Sequence, residues 1–190
     1  MSEIFVFGGS NGSGKSTIAT KFLSSINPSL EFVNADIIAA QLNPDDVDAV
    51  AITASRIMLD RLRVLANQKA DFAFETTLAA RSFTRFLRDC KDRGYTVNLI
   101  YVWLKSPELA ISRVAKRVAS GGHDIPKDTI VRRYQRGLNN LFELYLPLAD
   151  RWIVYDNSNQ RAKVAEKPIV QPIVIYQPDT WQNILSSINL

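Results

Sequence analysis

Near the amino end stands the run Ile4-Phe5-Val6-Phe7-Gly8-Gly9-Ser10-Asn11-Gly12-Ser13-Gly14-Lys15-Ser16-Thr17. Its first four residues are apolar and β-prone, the pattern of a strand buried on both faces. From Gly9 onward it matches G-x-x-x-x-G-K-[ST], between a strand and a helix as that pattern requires. Glycines allow backbone N–H groups to turn inward around a polyphosphate, and the helix start adds the positive end of its dipole. Gly9, Ser10, Asn11, Gly12, Ser13, Gly14, Lys15, Ser16 and Thr17 are therefore the candidate nucleotide-binding residues. Within them, Lys15 is placed to reach the β- and γ-phosphates of ATP, and the Ser16 hydroxyl to ligate Mg²⁺.

Outward from this run, short apolar strands and helical periods alternate. Strands are predicted at 31–34, 71–75, 95–104 and 152–155, and helices at 16–26, from Pro44 to about Ala66, at 82–93, from Pro107, and from Pro126 to about Leu141. Asn43-Pro44 reads as a cap with proline in the first helical position, and Ser106-Pro107-Glu108 as cap, proline and early acid. Strands separated by helices call for a parallel sheet with right-handed crossovers. The expectation is an α/β, three-layer P-loop nucleoside-triphosphate hydrolase/kinase fold: a mostly parallel five-stranded sheet with helices on both faces. It is read as one domain over 1–190, with an Arg-rich helical lid at about 107–145 and a C-terminal edge hairpin and helix at about 161–190.

Composition agrees with that reading. The 190 residues are 46% hydrophobic and 22% charged, enough to bury a core without staples. Cys90 is the only cysteine, so no internal disulfide can form. The amino end has neither a basic start nor a long apolar run, and no stretch approaches the roughly 20 apolar residues of a membrane span. A cytoplasmic protein without a membrane partner is expected. The net charge of +4 is unevenly spread. Between Thr77 and Arg136 lie 13 Lys and Arg against 5 Asp and Glu, a net of +8, and the remainder carries −4. A basic middle on an acidic frame suggests a local anion site.

In parallel α/β sheets, ligands sit beyond the carboxyl ends of the strands. That rule places Asp36, Glu75 and Asp156-Asn157 on the same rim as the phosphate loop. Asp36 is the candidate base that takes a proton from an acceptor hydroxyl, with helix capping as its alternative role. Glu75 leaves a buried strand, where a lone carboxylate is costly unless it binds something, so Glu75 and Thr76 are candidate substrate ligands, with Arg81 just beyond. Arg113, Lys116 and Arg117 precede Ser120-Gly121-Gly122-His123, and Lys127, Arg132, Arg133 and Arg136 follow it. Two basic helices on a glycine joint read as a lid that brings guanidinium groups to a transferring phosphoryl group. Arg117, Arg132 and Arg133 are the catalytic candidates, and His123 lacks metal-spaced partners. No N-K-x-D segment of a GTPase is present, and Ala119-Ser120-Gly121-Gly122-His123 only faintly echoes the L-S-G-G-Q of an ABC-type ATPase.

Together these residues resemble the zeta-toxin family of P-loop kinases, in its short, free-standing bacterial branch, over nearly the whole chain to about Ser158. The resemblance rests on the phosphate loop, Val33-Asn34-Ala35-Asp36, Phe74-Glu75-Thr76-Thr77, and Gly121-Gly122-His123-Asp124-Ile125-Pro126 followed by Arg132-Arg133-Tyr134. It implies ATP-dependent phosphorylation of a UDP-activated amino sugar such as UDP-N-acetylglucosamine. In that case Asp36 is the base, Lys15 the phosphate ligand, Glu75 a substrate-side carboxylate, and Arg117 with Arg132 or Arg133 the lid arginines. It also implies a small antitoxin protein as partner. The chain departs from the longer toxins at Asp36-Ile37-Ile38-Ala39, where they place a basic residue shortly after the base. Two other functions share the phosphate loop: an ATPase or kinase acting on nucleic acid through the +8 segment, and a non-catalytic ATP-gated interaction module. The first is disfavoured because no aromatic series is interleaved with those arginines.

Overall fold

The computed structural model describes residues 2–188. The strands are β1 (Glu3–Gly9), β2 (Glu31–Val33), β3 (Phe72–Thr76), β4 (Thr96–Trp103), β5 (Arg151–Asp156), β6 (Ala162–Lys167) and β7 (Val174–Ile175). They form one sheet in the order β2-β3-β1-β4-β5-β6-β7. The first five are mutually parallel, and β6 and β7 extend the sheet as antiparallel neighbours. The expected five-stranded parallel sheet is present, and the expected edge hairpin lengthens it by two strands. β1 lies at the centre and is buried from Ile4 onward, which is why its sequence is a continuous apolar run instead of an alternation.

The helices are α1 (Lys15–Ile26), α2 (Ala35–Leu42), α3 (Ala51–Asn67), α4 (Ser82–Asp92), α5 (Pro107–Ala119) and α6 (Lys127–Asn140). A π-helical turn (Leu141–Tyr145) and the short α7 (Leu146–Leu148) continue α6, and α8 (Pro178–Ser186) comes last. One face of the sheet packs Phe5, Phe7, Ile100 and Val102 against Ile18, Ala19 and Leu23 of α1. The other face carries the larger core, in which Ile4, Val6, Phe72, Phe74 and Leu99 meet Met58, Leu62, Leu87 and Leu138. α8 is held there by Trp181, stacked on Trp152 with ring centroids 5.9 Å apart. No helix among the described residues is long and apolar enough to cross a membrane.

One local expectation is corrected. The helix expected from Pro44 begins at Ala51. Asn43 Oδ1 does accept from the Asp46 N–H at 3.1 Å, but Asp46 Oδ1 then accepts from the Ala49 N–H at 3.1 Å. The first bond is an ordinary cap, but the second takes the Ala49 N–H that a helix begun at Pro44 would give to Asp45 O, and residues 44–50 stay as bends and turns. The glycine joint begins with a cap that ends α5. Gly121 adopts φ 86°, its N–H donates to Val118 O at 2.9 Å, and the Gly122 N–H donates to Arg117 O at 2.9 Å. That pair of bonds is a Schellman cap.

Candidate active site

The phosphate loop bridges β1 and α1, and its shape follows from close packing. A Cβ on Gly9 would lie 2.4 Å from Val102 O, so only glycine lets the loop pass this close to β4. Gly14, at φ 90°, caps α1 with no side chain, which leaves the first helical N–H groups directed at the cavity above. Asn157 Nδ2, from the end of β5, donates to Ser13 O at 2.8 Å and steadies the loop from behind. Lys15 is buried, and its Nζ donates to Ser10 O at 3.0 Å.

A cavity of about 390 Å³ opens over this loop. Its lining includes Asn11 and Lys15 from the loop, Asn34 to Asp36 after β2, Glu75 to Thr77 after β3, and Arg132, Arg133 and Arg136 from α6. The parallel sheet brings these together, since β1 and β3 end side by side with Phe7 opposite Glu75. Glu75 is buried, and Oε1 lies 3.9 Å from Lys15 Nζ. Asp36 is exposed on the cavity wall. Its own N–H donates to Asn34 Oδ1 at 2.8 Å, so Asn34 is the cap of α2 and the Asp36 carboxylate is left for other work. Four cations (Lys15, Arg132, Arg133, Arg136) face two carboxylates across this space, an excess of positive charge suited to phosphate.

The turn after β3 is clamped to α6. Leu78 is fully buried at φ 60°, with its N–H donating to Thr76 Oγ1 at 3.1 Å. Asn140 Nδ2 donates to Leu78 O at 2.8 Å, and the Tyr145 hydroxyl, from the π-helical turn, donates to Ala80 O at 2.9 Å. A Cβ on Gly137 would stand 2.3 Å from Thr77 O. The helix that carries the three arginines is therefore tied to the turn that carries Thr76 and Thr77. Gly137→Ala is expected to push the two apart, costing about 1–3 kcal/mol as overpacking of a close contact does. A urea unfolding midpoint equal to that of the unaltered chain would show that the contact yields freely.

Not every candidate reaches the cavity. Arg117 is exposed, and its Nη2 donates to His123 O at 2.8 Å, within the turn after α5. Arg81 is also exposed, 3.7 Å from Glu143, and lines a neighbouring hollow that shares Ala79 and Arg136 with the main cavity. His123 Nε2 lies 3.2 Å from Asp48 Oδ1 and takes no part in a metal cluster among the described residues. Arg113, whose Cβ side packs under Gly12, donates to Ser158 O at 3.1 Å. Conversely, the structure adds Ser55, Met58 and Phe83 to the wall, three residues without a sequence signal of their own. Gly137 does have one: a glycine inside a helix costs stability unless something approaches it closely.

The residues present fit a nucleotide tail. Ser10 Oγ, Asn11 Oδ1, Ser13 Oγ and Glu75 Oε2 are buried polar atoms with no hydrogen-bond partner among the described residues. Three of them belong to the phosphate loop, and unpartnered buried polar atoms are costly unless a ligand completes them. No cluster of three or more His, Cys, Asp or Glu able to hold a metal occurs among the described residues. A magnesium ion would thus be held by the exposed Ser16 hydroxyl and by phosphate oxygens, as hard cations with few protein ligands commonly are.

Comparisons with known proteins agree with this arrangement. The Zeta toxin family model matches residues 3–166. An uncharacterized protein of Haemophilus influenzae is 32% identical over 126 residues, which is 66% of this chain and 88% of that protein. The crystal structure of AvrRxo1-ORF1:AvrRxo1-ORF2 with sulphate ions superposes on the whole of this chain with a TM-score of 0.80 at 16% identity. This chain spans 65% of that one. The PezAT toxin-antitoxin system of Streptococcus pneumoniae gives a TM-score of 0.62 at 20% identity, covering 87% of this chain and 71% of its own. At such identities the two structures speak for the fold. The match over residues 3–166 carries the family, so the chain belongs to the zeta toxin family, whose P-loop kinase-type phosphotransferase character its sheet and phosphate loop share.

Proposed function

We propose that the chain transfers the γ-phosphate of ATP to a hydroxyl group of a small molecule, a UDP-activated amino sugar such as UDP-N-acetylglucosamine. The observation that carries this reading is the cavity that places Lys15, Asp36, Glu75 and three arginines around one space above the phosphate loop. Its volume of about 390 Å³ lies within the usual range for small-molecule sites.

Bound ATP with Mg²⁺ supplies the phosphoryl group and a leaving group whose charge is partly neutralised. The chain supplies position and charge. The Asp36 carboxylate accepts the acceptor's hydroxyl proton as the new O–P bond forms and the bond to the ADP oxygen breaks. Lys15, Arg132 and Arg133 oppose the negative charge on the transferring oxygens. Glu75, Thr76 and Thr77 hold hydroxyl groups of the acceptor through the turn that α6 clamps. Arg81 and Arg136 extend the binding surface on the acceptor side. Arg117 reaches phosphate only if its bond to His123 O opens. The family relation supports a small antitoxin protein as partner, and of the two structures one is by name AvrRxo1-ORF1 with AvrRxo1-ORF2 and the other a toxin-antitoxin system. A cytoplasmic site of action belongs to the same proposal.

The test is incubation of the purified chain with Mg-ATP and a panel of nucleotide sugars, sugars and oligonucleotides, read by mass spectrometry. A gain of one phosphate on UDP-N-acetylglucosamine is the expected result. Phosphate appearing on an oligonucleotide instead would give the reaction to a different substrate class. Nucleotide binding without transfer to any acceptor would leave an ATP-gated module.

A further inference from the structure

The peptide between Ser13 and Gly14 is the last one before α1. It is trans, so its C=O and its N–H point to opposite sides. Gly14 has no Cβ and sits at φ 90°, and glycine accepts positive and negative φ about equally. The plane of this peptide can therefore rotate at little steric cost, and its direction is left to whatever holds the carbonyl. α1 does not hold it, because the helical ladder opens one peptide later, with the Ile18 N–H donating to Gly14 O at 3.1 Å. The Asn157 side chain does: its Nδ2 donates to Ser13 O at 2.8 Å across 144 residues of sequence. A Cβ on Gly14 would lie 2.8 Å from the same nitrogen, so glycine here also admits the amide. Asn157 is itself fixed. Its N–H donates to Trp103 O at 3.0 Å. The next residue, Ser158, is buried, its Oγ accepting from the Lys105 N–H at 2.8 Å and its carbonyl from Arg113 Nη2 at 3.1 Å. The turn after β5 is thus tied to the end of β4 and to α5. Asn157 lies outside the cavity lining, so it acts on a ligand only through the loop.

We propose that Asn157 is a positioning residue for nucleotide binding: it pins the Ser13 carbonyl behind the loop and so turns the Gly14 N–H toward the phosphates. This rests on reading the cavity above the loop as the phosphate site. Donors already aimed at the place where negative charge will lie stabilise it without reorganising. A peptide free to turn presents its carbonyl oxygen to the phosphates for part of the time, and that oxygen repels them. The residue type follows from the same geometry. A carbonyl needs a donor, which the asparagine amide supplies without adding charge beside the phosphates, whereas an aspartate would bring a second acceptor and a negative charge.

Inorganic tripolyphosphate and ATP are the probes, titrated into the full chain by calorimetry and followed by amide NMR. In the unaltered chain the Gly14 amide proton is expected to move downfield as tripolyphosphate binds. Asn157→Leu keeps a neutral side chain of similar size and loses the donor. Its dissociation constants for both probes are expected to rise by the same factor, roughly 10-fold, about the worth of one hydrogen bond to a charged group. Its Gly14 amide is expected to lose the downfield shift while the Lys15 and Ser16 amides keep theirs. A general loss of stability cannot produce that contrast between neighbouring amides of one loop. Asn157→Ala, which leaves space in place of a branched side chain, is expected to behave in the same way and serves if the leucine variant does not fold. Unaltered affinity in the variant, a Gly14 shift that survives the loss of the amide, or an unaltered chain that binds tripolyphosphate without that shift would each overturn the proposal. The readout needs no acceptor. A chain that shows the expected Gly14 contrast and yet phosphorylates nothing supports this role of Asn157 and overturns the proposed function.

Discussion

Lys15→Met removes phosphoryl transfer almost completely, with kcat expected to fall about 10³-fold, the upper range for losing one preorganised charge-stabilising donor. The methionine keeps the apolar stem of the side chain, so the loss isolates the ammonium group. That group sits 3.0 Å from Ser10 O and 3.9 Å from Glu75 Oε1, buried beneath the cavity. Its removal also leaves Glu75 buried without a cation, which costs about 3 kcal/mol or more when one member of a buried pair is deleted. Stability and catalysis can be separated by adding Glu75→Gln. The double variant is expected to regain much of the unfolding free energy and none of the turnover, whereas Glu75→Gln alone, which loses only an acceptor contact, keeps measurable turnover. Recovery of turnover along with stability would mean that Lys15 serves folding and that phosphate is held by other groups.

Asp36→Asn is expected to lower kcat by about 10²–10⁴-fold, the range assigned to a positioned general base, while ATP still binds. The structure makes this substitution a clean one. Asn34 caps α2, and the Asp36 carboxylate has no part in that cap, so asparagine keeps shape and cap while losing basicity. The helix loses one acid from its first turn, worth roughly 0.3–1 kcal/mol at an exposed site. Isothermal titration with ATP and an acceptor assay on the same preparation separate the two effects. Turnover equal to that of the unaltered chain would remove Asp36 from the chemistry. A parallel loss of ATP affinity would place it on the nucleotide instead.

The local chemistry of single segments is legible in the amino-acid sequence. Ile4 to Thr17 specifies a buried strand, a glycine turn and a helix start within one continuous run, and the observed loop follows it residue by residue. Glu75 stands out because a carboxylate at the exit of an apolar strand has no local means of satisfying its charge, and the fold sets it beside Lys15. Side chain–backbone competition at 43–49 is legible in principle as well. Asn43, Asp45, Asp46 and Asp48 offer several caps in a row, yet none of them caps α3, whose start after Val50 goes with the packing of Val47, Val50 and Ala54 against Ala39.

What the tertiary structure alone decides is which side chains meet over long separations. Arg117, Arg132, Arg133 and Arg136 are alike as residues, and their helical spacing shows only which of them share a face. The fold turns Arg132, Arg133 and Arg136 into the cavity and leaves Arg117 on the turn that ends its own helix. The reason is packing: Tyr134 donates to Leu104 O at 2.6 Å, and Gly137 admits the Thr77 carbonyl, which fixes the rotation of α6 about its axis. Asn140, bonded to Leu78 across 62 residues of sequence, belongs to the same class. Periodicity fixes which residues of a helix share a face, because that depends on neighbours three and four apart. The direction in which the face points is set by contacts with distant strands and turns, and those exist only once the sheet has formed.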